Sequence, residues 1–161
     1  MYSKILLTLD GSEVSQQAIP HAVTLAKQTG AEVILLQVID SEAQMLMRAA
    51  GATIEPIAVG QVTADIAHEA VVAEREEATA NLDAVKTAML AQGVGAVSSM
   101  IREGYPGDEI VAAADEMKVD VVVIATHGRS GIGRAILGSV ADHVVRHASH
   151  ASVLLVRAQE E

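Results

Sequence analysis

Val121-Val122-Val123-Ile124-Ala125-Thr126-His127-Gly128-Arg129-Ser130-Gly131-Ile132-Gly133-Arg134-Ala135-Ile136-Leu137-Gly138-Ser139 opens as the most apolar run of the chain and closes on a glycine-rich turn. An unbroken apolar run suits a strand buried on both faces, as in a parallel sheet. Ser139 to His147 then reads as a helix. This is a strand, a glycine loop and a helix in succession.

The pattern repeats outward from there. Ile5 to Leu9 is a second apolar run, ending at Asp10-Gly11-Ser12, with Ser12 placed as a helix N-cap. Ala18, Ala22, Leu25 and Ala26 share one helical face, and Gly30 stops it. Pro20 either kinks this helix or marks where its regular part starts. Glu32 to Ile39 is the next strand, followed by an unpatterned stretch over 41–62 with Gly51, Pro56 and Gly60. A connection this long reads as a mobile lid. Met45, Leu46 and Met47 are too apolar for full solvation and imply that part of it packs as a short helix.

A long helix is expected over 65–92, with Ala78, Leu82, Val85 and Met89 on one face. Ala96 to Ile101 is a more polar strand suited to a sheet edge. Pro106 opens the next helix, with Asp108 and Glu109 at its positive end and Lys118 at its negative end. Ser152 to Val156 is the last strand. Alternation of this kind defines an α/β fold, with a parallel sheet and helices on both faces. Right-handed crossovers with one reversal give an open five-stranded, Rossmann-like sheet of order 3-2-1-4-5. Ligands of such sheets bind at the switch point, outside the carboxyl ends of strands 1 and 4. Those ends are Leu9-Asp10 and Ala125-Thr126, with Val38 beside them.

Composition narrows the function. The 161 residues fit one domain, over 1–161. There is no Cys, which excludes disulfides and thiol catalysis. Two aromatic residues, Tyr2 and Tyr105, leave no stacking platform for single-stranded nucleic acid. A net charge of −10 argues against nucleic-acid or anionic-membrane surfaces. The N-terminal apolar run meets Asp10 too early for a signal sequence, and no stretch approaches a membrane span. A cytoplasmic protein is expected.

Against that acidic background, 125–147 holds three arginines and one aspartate, a local excess of +2. Glycines let a ligand approach the backbone, and the Ser139 helix offers unpaired amides and a positive dipole end. The loop reads as a phosphate site; its bland reading is a set of turns. It is not a P-loop, lacking G-x-x-x-x-G-K-[ST], nor a dinucleotide fingerprint, since Ile136 stands where the third glycine belongs.

Leu7-Thr8-Leu9-Asp10-Gly11-Ser12-Glu13, Leu36-Gln37-Val38-Ile39-Asp40 and the glycine loop together resemble the universal stress protein (UspA-like) family over essentially the whole chain. The nucleotide-binding branch of that family carries G-x2-G-x9-G-[ST]. Gly128, Gly138 and Ser139 match it, while Ala125 stands at the first glycine position. The resemblance implies an ATP-binding, homodimeric stress-response protein that pairs through its C-terminal strand. It also implies an adenine pocket near Thr8, Leu9 and Val38, with Asp10 near the ribose and Gly128, Gly138, Ser139 and Val140 at the phosphates.

The residues alone give related roles. Asp10 can accept from ribose hydroxyls or help hold a Mg or Mn ion on the phosphates, or simply form an Asx turn. Ser139 can donate to phosphate or act as an N-cap. Arg129 and Arg134 can pair phosphates or lie in solvent. His143 and His147 lie four apart with His150 nearby, but lack the Glu of a zinc-protease helix, and a helix C-terminus alone favours His147. His127 can touch phosphate or, more often for such a residue, shape the turn; His21 and His68 read as helix surface. The leading expectation is a module that uses bound ATP, ADP or AMP as a conformational signal. The alternatives are a slow ATPase or phosphotransferase, and an interaction protein on the same fold. No convincing base and no loop Lys is found, which favours binding over phosphoryl transfer.

Overall fold

The computed structural model describes residues 1–51, 61–127 and 138–159. The strands are β1 (Lys4–Leu9), β2 (Glu32–Ile39), β3 (Val97–Glu103), β4 (Val121–His127) and β5 (Ser152–Ala158). The helices are α1 (Glu13–Gln16), α2 (Ile19–Thr29), α3 (Glu42–Gly51), α4 (Gln61–Ala91), α5 (Pro106–Met117) and α6 (Ser139–His147). The sheet runs β3-β2-β1-β4-β5 and every pairing is parallel. Leu7 pairs with Leu35 on one side and Val123 on the other, so β1 is central.

Alternate residues of β1 build two different cores, as a period of two requires. Ile5, Leu7 and Leu9 pack with Ala22 and Ala26 of α2 and with Leu82 and Met89 of α4. Leu6 points the other way, with Ile34 and Leu36, onto Ile110 and Ala113 of α5 and Ala141 and Val144 of α6. Both faces of the sheet are therefore covered, which explains why its inner strands read as continuous apolar runs.

The ends of the elements follow local chemistry. Ser12 caps α1 by accepting from the Ser15 amide. Pro20 does not kink a helix: a new one, α2, starts at Ile19 with Pro20 in its first turn, where its missing N–H costs no bond. Gly30 ends α2 in the left-handed region at φ 75°. Lys118 ends α5 the same way, at φ 52°.

β3 and β5 each run two residues further than the sequence reading, to Glu103 and Ala158, and two differences are larger. The stretch after β2 is helical at once, as α3, and α4 starts at Gln61 instead of Asp65. Ser41 and Gln44 explain the first. The Ser41 amide donates to Gln44 Oε1 at 2.8 Å and the Gln44 amide to Ser41 Oγ at 3.3 Å, a reciprocal capping box. Met45 packs near Ile39, Val71 and Ala78, whereas Met47 is exposed. The rest of the expected lid, 52–60, lies outside the described residues. Among the described residues no helix is long and apolar enough to cross a membrane.

Candidate functional site

A cleft of about 140 Å³ opens at the carboxyl ends of β1 and β4, where the winding of the sheet reverses. Thr8, Leu9 and Asp10 line it from β1, Val38 from β2, Ala125 from β4 and Val140 from α6. These six were singled out from the sequence. Ser15, Leu36, Pro106, Ile110 and Ile124 also line it and were not. Leu36 and Ile124 lay one alternation away from Val38 and from Thr126 on their strands. Pro106, Ile110 and Ser15 reach the cleft from elements whose approach no local pattern encodes.

The walls are mostly aliphatic. Thr8 is buried and its hydroxyl donates to the Val123 carbonyl at 3.4 Å, so its polar group is spent on the neighbouring strand. What remains facing the cleft is largely aliphatic, from Leu9, Leu36, Val38, Ile110, Ile124 and Val140.

Asp10 forms the Asx turn considered above. Its Oδ1 accepts from the Ser12 amide at 2.9 Å and from the Ser12 hydroxyl at 2.5 Å. Ser15 Oγ in turn accepts from the Asp10 amide at 3.3 Å. Partial burial pushes the Asp10 carboxyl up, but the hydrogen bonds from Ser12 and Ser15 outweigh it and hold it below the ordinary aspartate value. The turn thus supplies a fixed carboxylate at the mouth of the cleft. Among the described residues it is the sole carboxylate lining that cleft, and no group of three or more His, Asp or Glu is placed to hold a metal ion.

The opposite lip is the start of α6. Gly138 is the N-cap, at φ −55° and ψ 153°, and among the described residues no side chain caps the helix. Ser139 is the first helical residue and not the cap. The first intrahelical bond runs from the Asp142 amide to the Gly138 carbonyl at 2.9 Å. The amides of Ser139, Val140 and Ala141 therefore have no acceptor within the helix and carry the positive end of its dipole. Gly138 is fastened by Thr126: its amide donates to the Thr126 hydroxyl at 3.2 Å. Thr126 is buried. It was missed in the sequence, although it follows Ala125 directly.

Ser139 lines a neighbouring groove together with Tyr105, Gly107, Asp108, Val140 and His143. Gly128, Arg129 and Arg134 lie outside the described residues. His68 pairs with Glu42 across α3 and α4, with Nδ1 and Oε1 2.5 Å apart, and that contact lifts its pKa above the usual value.

A doubly wound parallel α/β sheet with a cleft at its switch point defines the general class of Rossmann-like folds. The particular family follows from sequence. A model of the Universal stress protein family matches residues 1–157, and the chain belongs to that family. It is similar to universal stress protein MJ0531 of Methanocaldococcus jannaschii, at 35% identity over 157 residues, covering 98% of this chain and 83% of that protein. Universal stress protein MJ0577 of the same organism is 31% identical over 159 residues, covering 98% and 96%. The solved structure of MJ0577 superposes at a TM-score of 0.75, covering 100% and 99% of the two chains at 28% identity. A universal stress protein solved in complex with cAMP shares the fold at a TM-score of 0.67 and 23% identity, with 98% of each chain covered.

Proposed function

We propose that the switch-point cleft binds an adenine nucleotide, and that bound ATP, or its products ADP and AMP, serves as a conformational signal in a stress response. The observation that carries this reading is the uncapped start of α6 on the rim of an aliphatic slot. Donors for phosphate and a surface for a base then lie side by side. In this reading the base occupies the slot near Thr8, Leu9 and Val38, Asp10 accepts from the ribose, and the amides of Ser139 and Val140 meet the phosphates beside Gly138, whose own amide is held by Thr126. Gly128 joins the same phosphate site by the family motif, and the Arg129 guanidinium, next in sequence, can pair a phosphate there. The relative that carries cAMP is consistent with an adenine ligand.

Binding is favoured over hydrolysis. Among the described residues the cleft has one carboxylate, already engaged by Ser12, and no lysine. A Mg or Mn ion arriving with the nucleotide would find Asp10 and take its other ligands from phosphate and water. The protein is further read as one domain that dimerises through β5, whose outer edge has no strand beside it in the single chain. Mass spectrometry of the denatured, purified protein tests for co-purified nucleotide, and calorimetric titration with ATP, ADP and AMP tests binding. No bound nucleotide and no heat with any of the three would remove the reading.

A further inference from the structure

Asp10, Ser12 and Ser15 close a ring of hydrogen bonds at one lip of the cleft. Gly11 stands between the first two in the left-handed region, at φ 80°, and turns the chain so that Ser12 meets Asp10. Asp10 Oδ1 accepts from the Ser12 amide at 2.9 Å and from the Ser12 hydroxyl at 2.5 Å. Ser12 Oγ accepts from the Ser15 amide at 3.1 Å. Ser15 Oγ donates to the Ser12 carbonyl at 2.9 Å and accepts from the Asp10 amide at 3.3 Å.

The direction of these bonds gives the lip a chemical sign. The amides of Asp10, Ser12 and Ser15 and both serine hydroxyls are all donated inside the ring. A serine hydroxyl has a single hydrogen to give. Asp10 and Ser15 are the members of the ring that line the cleft, and Ser15 is buried. What they offer a ligand is therefore acceptors: the spare lone pair of Ser15 Oγ, and Asp10 Oδ2, which takes neither bond from Ser12. Thr8, the remaining hydroxyl of the lining, is donated to the Val123 carbonyl. Among the described residues no Lys, Arg or His lines the cleft to offset the carboxylate. Such a lip accepts from a hydroxyl and repels an anion.

We infer that the Asp10–Ser12–Ser15 ring reads the sugar of the nucleotide, admitting a ribose with free hydroxyls and rejecting one that carries a phosphate monoester at its 2′ or 3′ position. Asp10 meets the ligand, and Ser12 and Ser15 are positioning residues that act through it. The inference rests on the nucleotide reading above and narrows its ligand class.

The test is calorimetric titration of the wild type, Asp10→Asn and Ser15→Ala with three probes at one pH and one salt concentration. The probes are AMP, 2′,3′-dideoxyadenosine 5′-monophosphate and adenosine 3′,5′-bisphosphate. The wild type should bind AMP about tenfold more tightly than the dideoxy compound, the size of one hydrogen bond to a charged group. It should bind the bisphosphate more weakly than AMP by at least as much. Asp10→Asn keeps the shape and an oxygen for Ser12, but turns the open acceptor into an N–H donor. It should lose affinity for AMP and gain affinity for the bisphosphate, a crossing that loosened packing would not produce. Ser15→Ala leaves the Asp10 amide as a free donor on the lip and should narrow the gap between AMP and the bisphosphate. If Asp10→Asn loses its circular-dichroism signature, Ser15→Ala carries the test. Equal wild-type affinities for AMP and the dideoxy compound, or an unchanged ratio of AMP to bisphosphate affinity in either folded variant, would overturn the inference while leaving nucleotide binding intact. No heat from the wild type with ATP, ADP or AMP would remove the nucleotide reading, and this inference with it.

Discussion

The Gly138 amide donates to the Thr126 hydroxyl at 3.2 Å, which fastens the N-cap of α6 to the end of β4. Both residues flank the glycine loop, so one side-chain bond fixes how the helix start faces the cleft. Thr126→Val keeps the shape and removes the acceptor. It should lower stability by about 1 kcal/mol, the net worth of one such bond. Nucleotide affinity should fall with it, because the α6 amides lose their alignment. Thermal unfolding and ATP titration of the same preparation check both; an unchanged affinity would mean that the bond does not set the rim.

Gly138 has a negative φ, and among the described residues a Cβ there meets nothing closer than Thr126 Oγ1 at 3.7 Å. The backbone thus tolerates a side chain, and any effect of one falls on the ligand. Gly138→Val should abolish ATP binding in a protein that still folds, by blocking close approach to the amides. Ser139→Ala should weaken binding by about 1–2 kcal/mol, the loss of one hydrogen bond to a charged group. Titration with circular dichroism as the folding control separates the two. Full affinity in folded Gly138→Val would put the phosphates elsewhere.

The sheet was legible because burial on both faces leaves continuous runs such as Ile5–Leu9 and Val121–Ala125, and because alternation with helices constrains their order. Asp10 and Val38 were legible as cleft residues because a switch point lies at strand ends whatever the rest of the chain does; Val140 came from the family resemblance alone. Met45, Leu46 and Met47 pointed to a short helix within the expected lid, and α3 is that helix; the Ser41–Gln44 capping box that starts it was present in the sequence and was not used. Thr126 was visible as a strand end and His143 as a helix position four before His147, but the sequence showed the partner of neither. One acts through an amide twelve residues on, the other through a carboxylate on a different helix. Contacts of that range are set by packing and not by pattern.

β5 is a sheet edge on which Leu154 is 37% exposed. An apolar edge strand invites pairing with another chain. The wild type should sediment as a dimer at micromolar concentration, and Leu154→Glu, which sets like charges against each other across a two-fold axis, should shift it toward monomer. A monomeric wild type would rule out pairing through this strand.

At the other end of the sheet, Asp120 ties the starts of β1 and β4. Its Oδ2 accepts from the Ser3 amide and the Ser3 hydroxyl, each at 2.7 Å, and from the Lys4 amide at 2.9 Å. The Ser3 amide, the Ser3 hydroxyl and the Lys4 amide all favour the charged form, and they lower the carboxyl from 3.8 to about 2. A depressed folded-state value means that the unfolded chain binds the proton more readily. The stabilisation is therefore complete above about pH 4 and is lost as pH falls toward 2. Asp120→Asn removes the charge at every pH. It should unfold at a lower temperature than the wild type at pH 6, and the gap between the two should narrow as pH drops from 4 to 2. Thermal melts in steps of half a pH unit test this. A gap that stays constant down to pH 2 would mean that the three donors do not depend on the carboxylate charge, and that Asp120 acts there through shape alone.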